Sequence, residues 1–461
     1  MLERADQAFV KDSHSNANVR VRLNSSPGDQ CYTNHMAPLQ AADARARQAV
    51  ALLVICTVIQ RWDVLEACYT NHGILPVAAW RAQVNNDALH RLLVVHAWSG
   101  ALAWQRILSL LQVLLALGLA LNRQPCRCAV LSLWLYASVT ARHAKLAFIL
   151  DRYAHILLLW LCAAPDALAK PTRARTATFM LRWGQLLWIY WDAGRAKLRD
   201  PLHGWSYDGN ALDAYLRHTF VGETTRTLLG DRGVRYGTVL VPYIEAFAPV
   251  VACAAFYLGR RRVQRVASAT IVLLHAGIGL SMNGAGLLSA FACAAWVFVE
   301  PPLPSKEQKR ASYRDWCGVV VIVLFSFGSI AHGVLDMASC RDATQQPLQS
   351  IFHNRWNVFA GAEDHVTWEI MPARLQSGAT VDLWSQQPVT WKQPAKAARS
   401  GRWRSFPMLG DGEAPAEEVE RVYAWFCRER GDVSHFHAYM LRAELVDSSR
   451  VSKRLLHAHV C

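Results

Sequence analysis

A succession of nine apolar runs of helical length constrains this chain more than any other feature. They cover residues 44–62, 98–121, 128–148, 152–168, 176–198, 237–258, 266–282, 286–300 and 316–336. A helical span of a bilayer core needs roughly 20 mostly apolar residues. With 52% hydrophobic and 18% charged residues, the chain suits a multi-pass membrane protein with soluble parts better than a soluble domain. Its 18 Trp residues suit interfacial belts.

Net charge is +14, yet the basic residues are not gathered on one polar domain. That distribution speaks against a nucleic-acid footprint and names the lipid bilayer as the expected partner. Basic clusters follow the second run (Arg123, Arg127), the fourth (Lys170, Arg173, Arg175), the sixth (Arg260, Arg261, Arg262, Arg265) and the eighth (Lys306, Lys309, Arg310, Arg314). With nine spans all four fall on one side, which the positive-inside rule makes the cytoplasm. The N-terminal tail is then cytoplasmic, and the chain after 337 is lumenal or extracellular.

Residues 1–41 are polar, rich in Ser and Asn, and read as a disordered tail. Residues 42–336 form the helical membrane domain. Residues 337–461 alternate short β-type runs (HVTWEI, ATVDLW, PVTW) with turns, then give an amphipathic helix over 416–430 and a strand over 436–446. The expected fold is a polytopic α-helical membrane protein of about nine spans with a small C-terminal β-rich or α+β extramembrane domain. The 12 Cys show no metal-ligand spacing, and no metal is predicted. Cys340, Cys427 and Cys461 lie in the C-terminal region, where an oxidising lumen would permit a disulfide whose pairing the sequence leaves open. The pentapeptide CYTNH occurs at 31–35 and 68–72 without flanking similarity, so it is not read as an architectural repeat.

The stretch 183–213 is the most informative part of the membrane domain. An aromatic helix pattern runs into Asp192, Arg195 and Lys197 before Asp200-Pro201 breaks it. Tyr190, Ala193, Gly194 and Lys197 share one helix face, and the small pair lets a second helix approach beside the Lys. Intramembrane charge is a functional candidate. A neighbouring cation and partial burial disfavour a charged amine, and a neutral amine can take a proton from an acidic hydroxyl. The competing reading is a Lys that snorkels to the headgroups. On the same side lie His143 between Arg142 and Lys145, Asp151 at the start of the fourth run, and Trp205 after the fifth. Glu245 sits between Pro242 and Pro249 in the sixth, facing a polar cavity rather than lipid. Each has a structural alternative: an exposed interfacial His143, an N-cap for Asp151, and for His275 of the seventh run an interhelical hydrogen bond.

Four patches in order resemble the vitamin K-dependent γ-carboxylase superfamily, in particular its horizontally transferred transmembrane (HTTM) domain. They are RWDVLEACYTNHGILP at 61–76, ARHAKLAFILDRYAHILLLWLCAAP at 141–165, YWDAGRAKLRDPLHGWSYDGNAL at 190–212, and RWNVFAGAEDHVTWEI at 355–370 with GATVDLW and GRWRSF. Order and spacing hold over 44–446. The resemblance implies that Lys197, in AGRAKL, is the base that takes a proton from reduced vitamin K or another quinol. CO₂ then adds to a substrate Glu after its γ-proton is removed. It implies His143 as the counterpart of a second catalytic residue and a Glu-containing peptide or protein as substrate; Arg142, Asp151, Trp205 and Glu245, on the same side as Lys197, are read from their position as substrate-binding groups. The chain departs from the family at His143 (Asn there), at Ile149-Leu150 (Gly-Gly), at Val358 (Met) and in a much shorter lumenal part.

Two functions are therefore expected to compete. One is a membrane-embedded carboxylase-like enzyme, a lyase. The other is a non-catalytic scaffold, maturation factor or lipid binder that keeps the same polar groups. The loop charges make one prediction that is independent of this choice. A glycosylation tag after Cys461 should be modified and one before Ala41 should not; the reverse pattern contradicts the orientation.

Overall fold

The computed structural model describes residues 27–84, 88–147, 149–163, 173–200, 202–217, 220–258, 260–281, 286–298, 313, 316–321, 323–324, 365–392, 399, 401–412, 414–444 and 451–461. Most of the ninth apolar run, Cys340 and the motif around Val358 lie outside them, as do Lys170, Lys306 and Asn283.

The fold begins with helix α1, Pro27–Trp62. It starts within the polar stretch 1–41, so 27–41 is helical rather than part of a disordered tail. The segment that follows α1 is not extended. It holds short helices α2 (Leu65–Tyr69), α3 (Val77–Gln83) and α4 (Ala88–Leu93) and a 3-10 turn, Val95–Ala97. Gly73 makes this folding possible: a Cβ there would lie 2.3 Å from the Ala67 carbonyl oxygen. Then follow α5 (Leu102–Ala120), α6 (Pro125–Arg142), a 3-10 turn at Ala144–Leu146, α7 (Ile149–Ala163) and α8 (Arg173–Leu198). The short α9 (Ala211–Leu216) leads to α10 (Phe220–Tyr257), α11 (Arg261–Ser281) and α12 (Gly286–Phe298). Eight of the nine apolar runs thus coincide with helices. Among the described residues, three helical segments are long and apolar enough to cross a membrane: Leu102–Ala120, Val221–Ala255 and Arg262–Ser281.

Neighbours in sequence pack together, α5 on α6, α6 on α7, α10 on α11 and α11 on α12, and α12 returns to α1. Between them lies a core that includes Leu53, Val54, Tyr136, Leu158, Trp160, Leu186, Tyr190, Ile271 and Phe291. The Trp160 indole donates to Gln185, linking α7 to α8. The outward faces carry large apolar residues such as Leu110, Leu114, Leu117, Leu240, Phe247, Val266 and Leu273. α10 is interrupted at Gly230 (φ 61°) and carries Pro242 and Pro249, which remove two helical N–H donors.

The C-terminal domain is a five-stranded antiparallel sheet with one helix. Its strands are β1 (His365–Ile370), β2 (Pro372–Leu375), β3 (Thr380–Asp382), β4 (Val433–Glu444) and β5 (Val451–Val460), with α13 (Ala416–Glu429) and a 3-10 turn at Gly401–Ser405. β4 is central. β1 and β2 share one of its edges, β5 takes the other, and β3 lies outside β2. α13 has Pro415 at its N-cap, two glutamates in its first turn and a buried stripe of Glu418, Val422, Tyr423 and Phe426. Cys427 and Cys461 form a disulfide that ties α13 to the end of β5.

The segment that follows α1 and the C-terminal domain share one hydrophobic core. Val64, Tyr69, Ile74 and Trp80 pack with Trp384, Trp403, Phe406, Val422, Phe426 and Phe436. Side chains of α13 also reach the loop backbone: Arg421 donates to the Ile74 carbonyl at 2.8 Å and Arg428 to that of His72 at 2.7 Å.

α8 and α10 meet at Gly194, where an added Cβ would stand 2.8 Å from both Ala246 Cβ and the Pro242 oxygen. Gly184, on the same helix, has nothing within 4 Å of that position. Gly194→Ala is therefore expected to lower the melting temperature in detergent, at a cost of about 1–3 kcal/mol. Gly184→Ala should be neutral or stabilising. Equal melting of the two variants contradicts the close approach.

Candidate functional site

The residues singled out from sequence fall into two clusters. The first is built on the face of α8 that carries Tyr190, Gly194 and Lys197. Lys197 lies in the last turn of α8, is 3% exposed, and points across to α10. Its Nζ is 2.6 Å from Glu245 Oε2. Gly194, one turn earlier, is what lets α10 come this close. Two turns before Lys197, the Tyr190 hydroxyl meets His275 Nε2 of α11 at 2.5 Å. Asp192 and Arg195, the two neighbouring charges, pair with each other at 3.2 Å.

Beyond α8 the chain turns back over this pair. The Asp200 carboxylate accepts from the backbone N–H of Leu202 (3.2 Å) and Gly204 (2.9 Å), which folds the loop tightly. Trp205 is thereby placed with its ring 5.6 Å from Lys197 Nζ, stacked on Tyr215 and packed near Val241. The result is a buried amine and carboxylate beside an aromatic shelf. Such a shelf can take a flat ring bearing an ionisable hydroxyl against the pair. Lys197 is not snorkelling outward in this geometry.

The second cluster centres on Asp151, in the first turn of α7 and fully buried. Its carboxylate accepts from Arg61 at the end of α1, from the Tyr136 hydroxyl of α6 at 2.6 Å, and from Arg402 of the C-terminal 3-10 turn through two nitrogens. The Arg61 guanidinium also lies over the Tyr136 ring, 4.7 Å from its centroid. The N-cap reading of Asp151 is thus overshadowed by a side-chain ion cluster joining three helices and the C-terminal domain. Lys145 adds a second tie across the same boundary, to Glu418 of α13.

Arg142 and His143 lie beside this cluster, at the end of α6. Arg142 is fully buried; one nitrogen donates to the Leu75 carbonyl at 2.5 Å, and the guanidinium lies 6.0 Å from the centre of the Trp80 ring. His143 is not an exposed interfacial residue. It is 2% exposed and sits edge-on between Tyr69 and Phe406, 6.1 Å from each. Arg142 Nε and Nη1, His143 Nε2 and both ring nitrogens of His155 are buried without a hydrogen-bond partner among the described residues. Nearby His96 meets Ser138 Oγ at 2.8 Å. Burial first, then the charges of Arg61 and Arg142, hold its imidazole down at about 3, so it stays neutral at physiological pH.

Sequence reasoning expected Lys197 and Glu245 in one polar cavity with Arg142, His143 or Asp151; the structure instead gives Lys197 contacts with Glu245 and Trp205, and Asp151 contacts with Arg61, Tyr136 and Arg402. Sequence reasoning did not assign Arg61, Tyr136 or Arg402 to a site. Arg402 is 251 residues from Asp151, and no local pattern in GRWRSF marks it as a partner for that carboxylate. No family model, no curated protein and no solved structure matches this chain.

Removing one partner of a buried charge cluster leaves the others uncompensated. Asp151→Asn would strand Arg61 and Arg402, and is expected to cost about 3–5 kcal/mol. Limited proteolysis should then release the C-terminal domain far faster than from the parent. A variant as protease-resistant as the parent contradicts the clamp.

Proposed function

We propose that this protein is a multi-pass membrane enzyme of the γ-carboxylase type. It crosses the bilayer about nine times, with a cytoplasmic N-terminus and a lumenal or extracellular C-terminal domain. The loop charges and the coincidence of eight apolar runs with helices support that topology. So does the core shared by the first outer loop and the C-terminal domain, which puts both on one side. The Cys427–Cys461 disulfide suits an oxidising compartment.

The observation that carries the catalytic reading is the buried Lys197–Glu245 pair beneath Trp205. A bound quinol such as reduced vitamin K supplies the oxygen-dependent chemistry. The residues of the chain bind it, orient it and move one proton. In this reading the proton of an acidic hydroxyl held against Trp205 passes to the Lys197–Glu245 pair, and Glu245, 2.6 Å from the Nζ, stabilises the protonated amine. This is general-base catalysis in a site with little water to compete. Arg142, with two unpaired N–H groups, and His143, with an unpaired ring nitrogen, are the positioning groups for an acidic substrate side chain.

A second reading, a non-catalytic scaffold, is favoured by one observation. Asp151 is engaged by Arg61, Arg402 and Tyr136, so its role is to hold the structure rather than to bind substrate. Turnover separates the two. Membranes containing the parent protein, given reduced vitamin K, labelled CO₂ and a Glu-containing peptide, should incorporate label. Lys197→Met and Lys197→Arg should express like the parent and lose about 10²–10⁴-fold of that activity, because guanidinium does not give up its proton at physiological pH. An Arg variant with parental activity contradicts the role of Lys197. Absence of incorporation by the parent leaves the scaffold reading in possession.

A further inference from the structure

The C-terminal domain holds a polar constellation that the reaction above does not use. β5 ends in His457-Ala458-His459-Val460, so two imidazoles two residues apart project from one face of the strand. The pairing with β4 sets which face. His457 is opposite Ala438 and His459 opposite Phe436, and both partners are buried. α13 packs on this face: Tyr423 contacts Phe436 and stacks on His457, with ring centroids 4.8 Å apart and planes 8° from parallel. His435 and His437 of β4 alternate with Phe436 and Ala438, so they occupy the opposite face.

Glu420 of α13 lies one turn before Tyr423 and is exposed. Its Oε1 is 3.8 Å from His457 Nε2. One ligand atom from each of Glu420, His457 and His459 lies within 4.8 Å of the other two. A tetrahedral ion with bonds of about 2.0–2.1 Å needs such atoms about 3.3 Å apart. Glu420, being exposed, is the ligand whose side chain has room to adjust toward the two imidazoles.

Two features fix the arrangement in advance. The disulfide joins Cys427, two turns along α13 from Glu420, to Cys461, two residues beyond His459. It pins helix to strand at the site. A β-bulge between Ala438 and Tyr439 breaks the β4–β5 register beside His457, a device by which sheets re-aim side chains.

We propose that Glu420, His457 and His459 form a binding site for a zinc-class divalent cation on the C-terminal domain. Two imidazoles and one carboxylate select such an ion over Mg²⁺ and Ca²⁺, which take all-oxygen ligands. Three protein ligands leave a coordination position open to solvent, as in zinc sites that bind water or substrate rather than purely structural ones. The sequence signal was the short HAH triplet, whose third partner lies on a different element.

The test uses the oxidised full-length protein in detergent, titrated with ZnCl₂, with CoCl₂ as a spectroscopic substitute. The expected result is one saturable Zn²⁺ per chain that excess Mg²⁺ or Ca²⁺ does not displace. His459→Ala and Glu420→Gln should each weaken it more than about 10-fold, while His435→Ala and His437→Ala leave it unchanged. Glu420 is exposed, so its Gln variant reads the site even if a His variant misfolds. The proposal is overturned if the parent binds no Zn²⁺, if Glu420→Gln binds as tightly as the parent, or if binding follows His435 and His437 instead.

Discussion

A buried carboxylate is the constraint on which this structure depends. Asp151 is fully enclosed, and an ionised carboxylate so placed costs several kcal/mol unless it is paired and hydrogen-bonded. Its partners come from α1 (Arg61), α6 (Tyr136) and the C-terminal domain (Arg402). Satisfying this one group therefore fixes where three helices end relative to one another and where the sheet domain docks. The shared core of Tyr69, Trp80, Trp403 and Phe426 and the Lys145–Glu418 pair follow from that docking. The same docking encloses Arg142 and His143, which leaves them buried with unpaired nitrogens aimed at no protein group among the described residues.

What was legible in the sequence is what local periodicity encodes. The apolar runs marked the helices because a bilayer-length stretch without charge has few other uses. The face of Tyr190, Gly194 and Lys197 was legible from helical spacing, and each member meets the neighbouring helices: His275 on α11, then Pro242 and Ala246, then Glu245 on α10. HVTWEI is β1 to the residue, and α13 differs from the expected 416–430 by one residue.

The rest was hidden for identifiable reasons. The short helices α2 and α3 share their core with the C-terminal domain, a long-range effect that local periodicity does not encode. β5 is an edge strand with mostly exposed positions, so VSKRLLHAHV lacks the clean alternation that marks a half-buried strand. α1 extends back to Pro27 through a polar segment whose composition favours disorder. Arg402 could not be matched to Asp151 because an ion pair leaves no periodic trace, least of all across most of a chain.

Lys197 and Glu245 are proposed to act as a proton-handling pair rather than as a packing device between α8 and α10. Exchanging them, Lys197→Glu together with Glu245→Lys, separates the two roles directly. The interhelical pair is restored with its polarity reversed, while the amine moves from beneath Trp205 to α10. The measurement is thermal stability and CO₂ incorporation on the same preparation of the exchanged protein. The account predicts stability near that of the parent with turnover still reduced by about 10²-fold or more. Recovery of parental turnover along with parental stability would contradict it, because the pair would then be serving only to hold two helices together.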